Sequence, residues 1–159
     1  MKPAPPDLRL SEQASGNLHA AARGSRRREH GGILVGYRES GGLVVEDALT
    51  VTDESATHGG YLRRAKTAQA VLAKYLSHQV DPMIGYVGEW HTHPLPVPPS
   101  AADHASMAIM AIRNTEQIGL LVAALDHNFR TVSYYALATE PGRTSRRRTL
   151  YRKVRVVLC

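Results

Sequence analysis

Four prolines within six residues, Pro94, Pro96, Pro98 and Pro99 in "GEWHTHPLPVPPSAADH" (Gly88–His104), constrain this chain more than any other feature. Each fixes φ near −65° and carries no N–H, so neither a strand ladder nor a helix runs through the stretch. Regular structure on one side must stop by His93, and on the other it must restart at about Ser100. Upstream, "MIGYVGEWHTH" reads as a strand. Downstream, Ser100 is a candidate N-cap, and a helix is predicted from about Ala101 to Asn114, with Asp103 in its first turn.

On a strand, residues i and i+2 point to one face, so His91 and His93 project together while Trp90 and Thr92 point the other way, most simply into a core. Glu89 shares the histidine face, as a partner of the histidines or as an ordinary edge residue. Two imidazoles at this spacing suit a single divalent ion, though H-x-H pairs also occur with no metal role. Capping and the helix dipole account for "SAAD" without any ligand. Capping does not account for its placement a short, stiff loop after the histidines. With Asp103 added, two histidines and one carboxylate form a common zinc set whose fourth position stays open to water. A hydrolytic site also needs a proton acceptor, and "REHGGILVG" offers Glu29 at the mouth of another strand.

The rest of the chain reads as one α/β layer structure. Its 159 residues suit a single domain with a real core. Residues 1–9, with Pro3, Pro5 and Pro6, are expected to be a disordered lead, and 10–159 the domain. A helix is predicted from about Ser11 to Arg23. "GGILVGYRE" and "LVVEDALTV", separated by Gly41-Gly42, are expected to pair as an antiparallel hairpin. "TDESATHGG" reads as a polar loop. Helical periodicity follows in "YLRRAKTAQAVLAKYL". After the proline loop and its helix come strands "IGLLVAALD" and "RTVSYYALA", then a basic segment over 140–159 with a last strand, "LYRKVRVVL". The predicted order is α-β-β-α-β-α-β-β-β, with helices packed on a mixed sheet.

The formal charge of +6 is concentrated in Arg23–Glu29 and Gly142–Arg155. Such runs are usually solvated faces, although they can attract an acidic partner. Aromatic residues do not interleave with them, so a base-stacking surface for nucleic acid is not expected. No window approaches the roughly 20 apolar residues of a membrane span. The N-terminus has no signal-type apolar stretch, and the lone Cys159 precludes an internal disulfide; a cytoplasmic location is expected.

"EHGGILVG", followed about sixty residues later by "GEWHTHP" and then "SAAD", resembles the JAB/JAMM (MPN-plus) metalloproteases, particularly their short prokaryotic branch. The family pattern is a Glu beside a G-G-[IL]-[LV]-x-G strand, then H-[ST]-H-P, then S-x-x-D. The likeness covers roughly Ser11 to Leu137. It implies a single MPN/JAB-type α/β domain, a mixed sheet flanked by helices in a cytidine-deaminase-like layering. It also implies one catalytic Zn2+ bound by His91, His93 and Asp103, with Glu29 and Ser100 as catalytic residues. Glu29 would take a proton from the attacking water and pass it to the leaving amine, and Ser100 would stabilise the oxyanion. Five residues separate Pro94 from Ser100, where relatives often have six. His30 stands where relatives often carry Thr; being next to Glu29 on a strand, it should face away. His58 and His104 are expected at the surface.

The substrate implied by the resemblance is the C-terminal tail of a ubiquitin-like protein, or its conjugate, with E1- and E2-like proteins as possible partners, in some relatives within anti-phage defence systems. A narrow groove holding the tail extended by strand-type pairing is expected. Two alternatives stand beside this reading: an inactive MPN-type scaffold, and a basic partner-binding module that uses its arginine runs.

Overall fold

The proline-bounded strand runs inside a sheet whose own ends meet. The structure, a computed structural model, describes residues 7–25, 28–51, 65–140 and 150–159. In chain order the elements are β1 (Asp7–Leu10), α1 (Glu12–Arg23), β2 (Gly31–Glu39), β3 (Gly42–Thr50) and α2 (Ala65–Ser77). They continue with β4 (Gly85–His93), α3 (Ala101–Arg113), β5 (Gly119–Leu125), β6 (Val132–Thr139) and β7 (Tyr151–Leu158). The strands close into a barrel in the order β1-β3-β2-β4-β5-β6-β7. The expected mixed sheet is present, but its closure was not expected.

Closure rests on β1, which corrects the lead expected over residues 1–9 at positions 7–9; residues 1–6 lie outside the described residues. Asp7–Leu10 pairs in parallel with Gly42–Val45 of β3 on one side and with Arg155–Leu158 of β7 on the other. Leu8 and Leu10 are fully buried, and that burial draws the segment out of the polar lead. An Arg155–Asp7 ion pair, with Nη2 3.0 Å from Oδ2, fastens the same register.

Alternation along the strands makes two apolar layers. Inside, Leu8, Leu10, Leu34, Leu43, Val45, Val87, Trp90, Leu121 and Ala123 form one cluster, into which α1 turns Ala14, Leu18 and Ala22. These three recur every fourth residue, the spacing of one helix face. Ser11 caps α1, its hydroxyl accepting from Ala14 N–H at 3.0 Å and donating to the Glu46 carbonyl at 2.6 Å. Outside, Met107 of α3 packs with Leu120 and Leu137. β5 is buried on both faces, which explains its uninterrupted apolar run "GLLVAAL".

The β2–β3 hairpin turns through Gly41, whose φ of +102° suits glycine. Gly32 serves a different need. The Trp90 indole N–H donates to the Leu49 carbonyl at 3.1 Å, across Gly32. A Cβ on residue 32 would lie 1.7 Å from that carbonyl oxygen and 2.8 Å from the indole nitrogen. Trp90 is therefore the core residue that the strand alternation predicts. The loop "TDESATHGG" with His58, the first residues of the predicted second helix, Arg26 and Arg27 of the first arginine run, and residues 142–149 of the second lie outside the described residues.

Candidate metal centre

β4 pairs with β2 on one side and β5 on the other, with His91 opposite Gly31 and Val122, and His93 opposite Ala124. Both histidines thus share the outer face, the face that α3 covers through Leu120. The chain leaves His93 through the prolines and re-enters as α3 with its first turn beside the histidines. Ser100 is the N-cap as expected, within a full capping box. Asp103 N–H donates to Ser100 Oγ at 3.2 Å, and Ser100 N–H donates to Asp103 Oδ2 at 2.7 Å. The cap holds the Asp103 carboxylate in place, so capping and convergence on the histidines are compatible roles.

Asp103 Oδ1 lies 3.1 Å from His91 Nε2, and Oδ2 lies 3.7 Å from His93 Nε2. The two imidazole centroids are 5.0 Å apart. The three candidate ligand atoms fall within 4.8 Å of one another. Both histidines are buried, and Asp103 is only 9% exposed. Burial by itself raises the Asp103 pKa. The hydrogen bond from His91, the positive charge that ring can carry, and the contacts with Ser100 outweigh it and hold the carboxyl down at about 2.

The donor set fits a divalent ion. Two nitrogens and one oxygen are the ligand types zinc accepts, and three protein ligands leave a position open. Ligands about 2 Å from a tetrahedral ion stand about 3.3 Å apart, close to the 3.1 and 3.7 Å separations found here. His93 is also oriented for the task. Its Nδ1 lies 3.0 Å from the Val97 carbonyl, an acceptor only, so the neutral ring keeps its proton there and turns the Nε2 lone pair toward Asp103. Among the described residues, His91, His93 and Asp103 are the one group with this character.

Glu29 lies just before β2 and is exposed. The β2–β4 alignment continues past Gly31: Thr92 N–H donates to the His30 carbonyl at 2.9 Å, and His30 N–H donates to Thr92 Oγ1 at 2.9 Å. Glu29 is the next residue out from this pair, and its carboxylate is not part of the His91–His93–Asp103 group. The His30 imidazole lies instead against Gly24 at the end of α1. His104, expected at the surface, is half-buried, with Nδ1 3.0 Å from the Tyr151 hydroxyl. Glu89 is half-buried on β4.

The sequence reading missed Val97. Its contribution is a backbone carbonyl, which no side-chain pattern reports; the flanking Pro96 and Pro98 are the signal that its orientation is restricted.

Taken together, the fold and cluster define a mixed α/β domain that carries a two-histidine, one-carboxylate site at the junction of a strand and a capped helix. The chain belongs to the prokaryotic homologs of the JAB domain, whose family model matches residues 11–150. Two solved structures are similar in fold. A protein from Desulfitobacterium hafniense is 16% identical with a TM-score of 0.66, the match covering 96% of this chain and 92% of that one. A protein from Salinibacter ruber is 16% identical with a TM-score of 0.56, covering 95% of this chain and 91% of that one. No curated protein matches the sequence. Among the described residues, no helix is long and apolar enough to cross a membrane.

Proposed function

We propose that the protein is a zinc-dependent isopeptidase or peptidase that cuts after the C-terminal tail of a ubiquitin-like protein, releasing it from a conjugate or an extension. The observation carrying this reading is the convergence of His91, His93 and Asp103 in a member of the JAB-domain family. A zinc ion held by these residues supplies Lewis acidity, which lowers the pKa of a water and polarises a carbonyl.

The chain's own residues do the remaining work. Glu29, two residues before β2, accepts a proton from the attacking water as the oxygen bonds to the amide carbon, then delivers it to the leaving nitrogen as the C–N bond breaks. Being exposed, it can exchange protons with solvent between turnovers. Ser100 Oγ accepts from Asp103 N–H, which leaves its own hydroxyl proton available to donate to the oxyanion. The capping box keeps that hydroxyl at a fixed place beside the cluster. Conjugation machinery of E1- and E2-like type would supply the substrate, and anti-phage defence is one setting for such a pathway.

The test is cleavage of a ubiquitin-like protein extended or conjugated at its C-terminus, with and without a chelator. Chelation should abolish cleavage, and zinc should restore it. Glu29→Gln should retain zinc and lose at least about 100-fold in turnover; a wild-type rate would remove Glu29 from the mechanism. If the metal-loaded wild-type protein leaves every such substrate intact, the scaffold reading takes over.

A further inference from the structure

His93 is the last residue of β4, and the six residues after it form more than a connection. Val97 N–H donates to the Leu95 carbonyl at 2.8 Å, closing a three-residue turn with Pro96 at its centre. Such a turn needs a central φ near −75°, and proline's ring holds φ close to that value. The next residue, Pro98, restricts Val97 to extended conformations. The direction of the Val97 carbonyl is therefore set from both sides, and it points at His93 Nδ1 from 3.0 Å.

We propose that the Pro96 turn is a positioning device that locks His93 as the Nδ1–H tautomer, with its Nε2 lone pair toward Asp103, before any ion arrives. It raises ion affinity by removing a competing tautomer and ring orientation. Pro96 acts through the Val97 carbonyl and touches neither ion nor substrate. The inference rests on the ion-binding reading of the cluster but is independent of hydrolysis. It also gives the short proline loop a purpose: fewer residues leave less freedom at the carbonyl.

Two measurements on purified protein test it. Nitrogen-15 histidine spectra of the metal-free protein, recorded where imidazole is neutral, report the tautomer. Competition with a fluorescent chelator reports zinc affinity. Wild type should show His93 protonated at Nδ1. Pro96→Gly should show a mixture of tautomers and bind zinc at least about tenfold more weakly, the range seen when the partner of a ligating histidine is lost. Pro96→Ala, which can still adopt the turn, should fall between them. Ile112→Ala, an exposed position on α3 away from the loop, is the control and should match wild type in both readouts.

Thermal unfolding of all four proteins separates a folding defect from a local one, and Pro96→Ala carries the test if the glycine variant does not fold. Unchanged tautomer and affinity in a folded Pro96 variant overturns the proposal. So does a wild-type His93 that binds zinc yet carries its proton on Nε2 beforehand. Wild-type protein that binds no zinc overturns the ion-binding reading, and this proposal with it.

Discussion

His91 Nε2 lies 3.1 Å from Asp103 Oδ1, joining the end of a central barrel strand to the first turn of α3. The contact spans the proline loop, so the site and the strand-to-helix crossover are a single piece of structure. Substitutions here should therefore report on both ion binding and the local fold.

The first expected outcome concerns acid. Asp103 ionises near pH 2 in the folded protein, against about 3.9 for an unperturbed Asp. A depressed carboxylate pKa favours the folded state. That contribution is complete above about pH 4 and is lost as the pH falls toward 2. Carbon-13 titration of the Asp103 carboxyl in metal-free protein should show a midpoint near 2. A midpoint at or above 3.9 contradicts the hydrogen bonding described here.

Metal content gives the second. Purified protein loaded with zinc and dialysed should retain close to one ion per chain. His91→Ala should weaken binding at least about 100-fold, because two remaining ligands hold zinc poorly. Equal metal content in wild type and variant would place the ion elsewhere.

Gly32→Ala should destabilise the fold by about 3 kcal/mol, since the Leu49 carbonyl and the Trp90 indole must both shift to admit a methyl group. Trp90 is the sole tryptophan, so its fluorescence reads the change directly. Unchanged emission and unchanged urea unfolding would mean that the hairpin accommodates the methyl group.

Leu18→Ala should lower stability by about 2–5 kcal/mol, the usual range for a leucine truncated in a packed core. Leu18 is fully buried where α1 meets the barrel interior. Zinc affinity should stay close to wild type, because the site occupies the opposite face of the strands. A large fall in affinity would couple the two layers.

Much of this arrangement is legible in the sequence, for physical reasons. His91 and His93 share a face because strand side chains alternate, and Trp90 is buried for the same reason. Ser100 reads as a cap because its side chain satisfies a helix N–H locally. The Asp103 contacts require the proline loop to fold back, which the loop's length suggests and only its conformation establishes. Closure of the barrel has no local signature. Asp7–Leu10 is too short for a periodic pattern, and its partners lie about 35 and 148 residues away. Leu8 and Leu10 alternate, but Pro3, Pro5 and Pro6 give their neighbourhood the look of a tail. Similarly, the Val97 carbonyl belongs to the backbone, and side-chain chemistry gives no sign of where it points.

Four residues of β1 stand between two strands that would otherwise present bare hydrogen-bonding edges. Their removal, by a protease or by trimming of the gene, would expose Gly42–Val45 and Arg155–Leu158 together and empty the space filled by Leu8 and Leu10. Unpaired edges of this kind template intermolecular sheet growth. A shortened chain should therefore fail first as insoluble protein, with its histidine cluster still encoded intact.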